Sequence, residues 1–133
     1  MNTLAYMNTE RIKKTFHWIA LAIFIYIFGY AGLYKVFKVP GMMEGMAEMG
    51  FGATWTLFIG LAEVLGVIGV ITGLFIPPVK YISVILLLPF AIGAFTMHMG
   101  LHHPFSIYMN SLLVCILPII ILWTDDKFKL ILK

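Results

Sequence analysis

Four stretches of the chain, about 16–37, 54–76, 79–99 and 105–124, are apolar almost throughout, and the polar residues gather between and outside them. A helix rises about 1.5 Å per residue, so roughly 20 apolar residues cross the hydrocarbon layer of a bilayer. All four stretches reach that length. None alternates with a period of two, and backbone in lipid must satisfy its own hydrogen bonds, so the pattern predicts membrane-spanning helices and not barrel strands. Between the first two runs, Met42, Met46 and Met49 recur at helical spacing among polar residues, which predicts a short interfacial helix over about 40–50. Pro77 and Pro78 are expected to end the second helix in a tight turn, and Pro104 to start the fourth. Pro89 and Pro118 fall inside the third and fourth helices, where they predict kinks.

Composition narrows the class further. The chain of 133 residues is 62% hydrophobic and 11% charged, with a mean hydropathy of +1.00. A water-soluble fold of this size would have to coat itself in charge. The expectation is therefore a single all-α domain over 1–133, an integral membrane four-helix bundle whose first environment is the lipid bilayer.

Nine Lys and Arg stand against six acids, and the cations flank the apolar runs, as topology signals do; nothing here is a nucleic-acid surface. Arg11, Lys13, Lys14, Lys80, Lys127, Lys129 and Lys133 fall on one side, against Lys35 and Lys38 with Glu44 and Glu48 on the other. The positive-inside rule then predicts a multi-pass protein of the cell (inner, cytoplasmic) membrane with both termini cytoplasmic. Trp18 and Trp123 at the inner boundary and Trp55 at the outer one read as interfacial anchors, and His17 reads as part of the inner belt. The first fourteen residues are too polar to open a cleavable signal, so the first helix is expected to be retained. Cys115, the single cysteine, sits in an apolar run and is expected to pack, with no disulfide or CxxC relay.

One residue resists this description. Glu63 is the only ionisable group in the second run, where a charge costs roughly 2.5–3.5 kcal/mol on insertion-based scales. Such a carboxylate is paired, protonated or facing water. Helix rise sets Lys35 at the outer end of the first span and His98 at a similar height on the third, with Glu63 roughly 13 Å down the second. Side chains lean toward their helix N-terminus, so Lys35 and His98 lean into the membrane while Glu63 leans outward. These three residues can converge in the outer half. Pairing with Lys35 would keep Glu63 ionised; desolvation would let it hold a proton.

Tyr26, Tyr30 and Tyr34 recur every four residues on one face of the first helix, either as interhelical hydrogen-bonding groups or as the wall of an amphipathic pocket. Asn110 and Ser111 could add polar groups to the same place. The outer loops also hold Met42, Met43, Met46, Met49, Met97, Met99, His98, His102 and His103, thioethers and imidazoles that suit copper. No metal site is assigned; His98, His102 and His103 are the nearest approach to a ligand set, and copper handling is one alternative function. Ala62, Gly66, Gly69 and Gly73 form a stripe of small residues on the second helix, a packing face either within the bundle or between protomers. No phosphate-binding loop or GxSxG elbow is present in the sequence.

The sequence GYAGLYKVF at 29–37, then PGMMEGMAEMGFG, then GLAEVLGVIGVITGLF at 60–75, then a late His98, resembles the DoxX and DoxX-like family of small membrane proteins. The resemblance runs from about 16 to 123. It implies a compact four-helix membrane bundle with Lys35, Glu63 and His98 as its polar positions, and its namesakes are linked to thiosulfate:quinone oxidoreductase. The function it implies is a redox-associated membrane component that binds a quinone or another small amphipathic ligand, as a subunit of a quinone-linked oxidoreductase. Glu63 and His98 would then handle a proton or bond a quinone carbonyl, with Lys35 setting the charge of Glu63 and Tyr30, Tyr34 and Asn110 lining the cofactor pocket. The alternative is a non-catalytic subunit or scaffold, in a homo-oligomer or a larger membrane complex, packing through the glycine stripe.

Overall fold

The computed structural model describes residues 3–125, so Lys127, Lys129 and Lys133 of the topology argument lie outside the described residues. Each long apolar run is a helix. The first, α1 (Thr3–Val36), begins well before the apolar run, because the polar segment 3–15 holds no proline or glycine to stop it. A short helix, α2 (Pro40–Glu48), follows with proline in its first turn.

The second span, α3 (Ala53–Thr72), stops at Gly73 and does not run on to 76. Residues 73–76 make the turn, and Pro77 and Pro78 open α4 (Pro77–Gly100). A proline at a helix start lacks only an N–H that would have no helical partner anyway, which is why the pair begins this helix. The last helix, α5, spans Phe105–Thr124. Pro89 and Pro118 lie within α4 and α5. All four long helices are long and apolar enough to cross a membrane.

The spans form a closed ring, α1 against α3 and α5, and α4 against α3 and α5. Both termini of the described chain lie at one end, here the termini end; α2 and the α4–α5 loop lie at the other, the α2 end. Inside the ring, Leu21, Phe24, Val70, Val84, Leu87 and Ile121 are at most 1% exposed and fill the centre with apolar side chains. Outside it, Ile23, Leu65, Ile82, Leu86 and Ile119 are exposed, as side chains facing lipid tails should be. Trp18, Trp55 and Trp123 are exposed too.

The glycine stripe has a definite partner. A Cβ added at Gly66 would collide with Leu87, one at Gly69 with Ser83, and one at Gly73 with the backbone of Lys80. All three contacts are on α4, so the stripe brings α3 and α4 together within the bundle.

Candidate functional site

A second close approach, between α1 and α3, builds the site. A Cβ at Gly60 would stand 2.6 Å from the Lys35 Cβ and 3.0 Å from the Gly32 carbonyl oxygen. One at Gly32 would meet Val64 and the Glu63 Cβ at 3.0–3.2 Å. Two glycines facing each other let the helix backbones draw together on either side of one ion pair. Lys35 Nζ donates to Glu63 Oε1 at 2.7 Å, with the two side chains only 10% and 4% exposed. The pairing also removes the cost of an isolated carboxylate among apolar side chains. Gly60→Ala should push the helices apart and cost about 1–3 kcal/mol, the usual range for overpacking. Unfolding of the purified variant in detergent would measure it, and a change below a few tenths of a kcal/mol would mean that the contact relaxes freely.

Beside this pair lies a cavity of about 900 Å³ at the α2 end, with wall residues from all five helices. Its wall is mostly apolar, including Phe28, Ile59, Phe90 and Val114, and its polar groups are few: Lys35, Glu63, His98, Tyr30, Tyr34, Asn110, Ser111 and Thr96. Of the sequence-predicted pocket residues, Lys35, Glu63, His98, Tyr30, Tyr34, Asn110 and Ser111 all line this one cavity. Met42 and Met46 of α2, and Met49 just past its end, face this space and not lipid alone. The Tyr30 and Tyr34 rings lie tilted with centroids 3.9 Å apart, and Tyr26 stacks with Tyr30 at 6.1 Å. Tyr26 is 70% exposed and does not line the cavity. Ser111 Oγ donates to the Tyr108 carbonyl.

His98 lines the cavity but bonds elsewhere. Its Nδ1 lies 2.8 Å from Nδ1 of His103, and His103 Nε2–H donates to Glu48 Oε1 at 3.0 Å. Convergence of three side chains is therefore realised as an ion pair, Lys35 with Glu63, and a separate histidine on the same wall. His102 is exposed, with φ 56°, and stands apart from the contact between the His98 and His103 rings. Among the described residues, no group of three or more His, Cys, Asp and Glu has the geometry to hold a metal ion.

At the termini end the structure assembles a polar cluster that sequence reasoning missed. Lys80 Nζ pairs with Asp125 Oδ2 at 2.5 Å, and Tyr81 donates to Asp125 Oδ1 at 2.8 Å. His17 Nδ1 lies 3.2 Å from Thr124 Oγ1, and its Nε2 3.4 Å from Lys80 Nζ and 3.6 Å from Asp125 Oδ2. His17 is thus no member of an interfacial belt: it is 7% exposed and sits inside the ring, as do Lys80 and Asp125. The signal that could have found the cluster is an aspartate directly after the last apolar run, at the same depth as a lysine two residues past a proline pair.

A family model described as the DoxX-like family matches residues 19–120, which takes in the core of all four spans and both glycine contacts. No curated protein and no solved structure matches the chain.

Proposed function

This chain belongs to the DoxX-like family, and from that premise we propose that its α2-end cavity binds a small amphipathic ligand of the quinone class in a redox-associated membrane component. The observation that carries the reading is the buried Lys35–Glu63 pair on the wall of an apolar cavity of about 900 Å³. Ligand sites are typically apolar concavities of about 300–1,000 Å³ with a few convergent polar groups, and this cavity has that character. A quinone presents a flat apolar ring and two carbonyl acceptors. Lys35 Nζ and the Tyr30 and Tyr34 hydroxyls are donors suited to those carbonyls, and Glu63 and His98 are groups able to take or give a proton.

The surplus of cations at the termini end supports a cytoplasmic location for both termini, which opens the cavity to the outer leaflet. The scaffold alternative rested on the glycine stripe, and Gly66, Gly69 and Gly73 are already occupied by α4.

Glu63→Gln tests the assignment, because glutamine keeps a hydrogen bond to Lys35 while removing the charge. Binding of decylubiquinone to protein in lipid nanodiscs should weaken by about tenfold, or about 1.4 kcal/mol. Unchanged affinity in a folded variant would remove Glu63 from the site.

A further inference from the structure

The route between the cavity and water is written in the turn that ends α4. His102 adopts φ 56°, a left-handed conformation uncommon outside glycine but more accessible to asparagine, aspartate and histidine than to most side chains. The reversal lets the backbone N–H of His103 bond the His98 carbonyl at 3.1 Å and that of His102 bond the Met99 carbonyl at 3.1 Å. This is the paired capping pattern of a helix ending in a left-handed residue. It folds His103 back over the last turn of α4, which is what sets the two imidazoles Nδ1 to Nδ1 at 2.8 Å. Glu48, at the end of α2, closes the chain of contacts from the far side, with its side chain 59% exposed against 14% for His103. Of the three residues, only His98 lines the cavity.

With both rings neutral, the contacts allow one order of protons along this chain. A carboxylate can only accept, so the Glu48 contact requires a hydrogen on His103 Nε2. A neutral His103 then has a bare Nδ1, and the 2.8 Å contact requires His98 Nδ1–H to donate to it. His98 is left with an unprotonated Nε2, the ring nitrogen available to an occupant of the cavity.

We infer that His98, His103 and Glu48 form a proton relay that takes a proton from a cavity-bound hydroxyl compound and passes it to solvent. A proton arrives at His98 Nε2 as the Nδ1 proton moves to His103 Nδ1 and the His103 Nε2 proton moves to Glu48. Each ring gains one proton and loses one, Glu48 becomes a carboxylic acid, and it releases the proton to water. Every hydrogen bond in the chain is remade with opposite polarity. The occupant keeps the negative charge, beside the Lys35 ammonium, and no electron is transferred in this step. The relay's use, though not its wiring, rests on the cavity being a ligand site.

Protein labelled with ¹⁵N-histidine and held in nanodiscs at mildly alkaline pH tests the wiring with no ligand present. Ring nitrogen shifts and two-bond couplings should show His98 protonated at Nδ1 and His103 at Nε2. Glu48→Gln, which can donate as well as accept, should let His98 populate the Nε2–H form, and Glu48→Ala should do so as well. Wild-type His98 protonated at Nε2, or spectra unchanged in both Glu48 variants, would overturn the relay. Metal on both Nδ1 atoms would demand that opposite tautomer, so the same spectrum separates the two arrangements. Added decylubiquinol should then shift the His98 Nε2 resonance. The predicted tautomers with no such shift would leave the wiring standing and count against the quinone reading alone.

Discussion

Lys35→Met is expected to destabilise the bundle by about 3–5 kcal/mol, the range for breaking one side of a buried ion pair. Methionine nearly reproduces the length of the lysine stem, so packing against Gly60 is retained and the lost element is the ammonium. What remains is the Glu63 carboxylate, 4% exposed, with no cation in reach among the described residues. Removing both partners should behave differently. Lys35→Met with Glu63→Leu replaces the pair by apolar side chains of similar size, and such exchanges are often neutral or stabilising. A double-mutant cycle, read by detergent-titrated unfolding, should thus show the double variant recovering most of the loss. A loss below about 1 kcal/mol for Lys35→Met alone, the level of an exposed pair, would mean that water reaches Glu63 from the cavity.

The second large effect is expected at the opposite end. Asp125→Ala removes the carboxylate that holds Lys80 and Tyr81 of α4 and approaches His17 of α1, and should cost about 3 kcal/mol, the lower part of the same range. The lower figure follows from position. Lys80 lies in the first turn of α4, where a lysine stem can carry its charge toward the interface, whereas Lys35 is held against α3. Asp125→Asn, which still accepts from Tyr81, should lose less. Eighteen residues of α1 separate His17 from Lys35, roughly 27 Å at helical rise, so the Lys35→Met and Asp125→Ala losses should add. Strong non-additivity in the same unfolding measurement would show that the two ends are coupled through the core.

These two pairs differ in how far the sequence reveals them. Lys35 and Glu63 are legible because a charge inside an apolar run requires a partner, and helix rise is regular enough to say which residues share its height. His98 is legible as a wall residue for the same reason. Its true partner is not, since that depends on His102 adopting a left-handed conformation, a choice no periodicity encodes. Lys80 sits where a topology cation is expected and His17 beside a tryptophan, so each has a sufficient local explanation, and only tertiary structure shows that both turn inward. Gly32 and Gly60 stand in the motifs that suggest the family, yet their task, bringing two backbones together around an ion pair, depends on the mutual register of α1 and α3. The glycines of the α3 stripe announce a close neighbour without naming it.

The apolar middle of the ring has a consequence for energy conversion. Phe24, Val70, Val84, Leu87 and Ile121 stand between the two polar ends, and among the described residues no ionisable side chain is buried with them; the Ser83 hydroxyl lies against Gly69. Hydrocarbon of that thickness is an insulator to protons as it is to ions. On the relay reading, a proton drawn from the cavity would leave on the α2 side, away from the termini-end cluster. Chemistry in this cavity would run electrically silent with respect to the bilayer, and any membrane voltage tied to it would have to be made by another component.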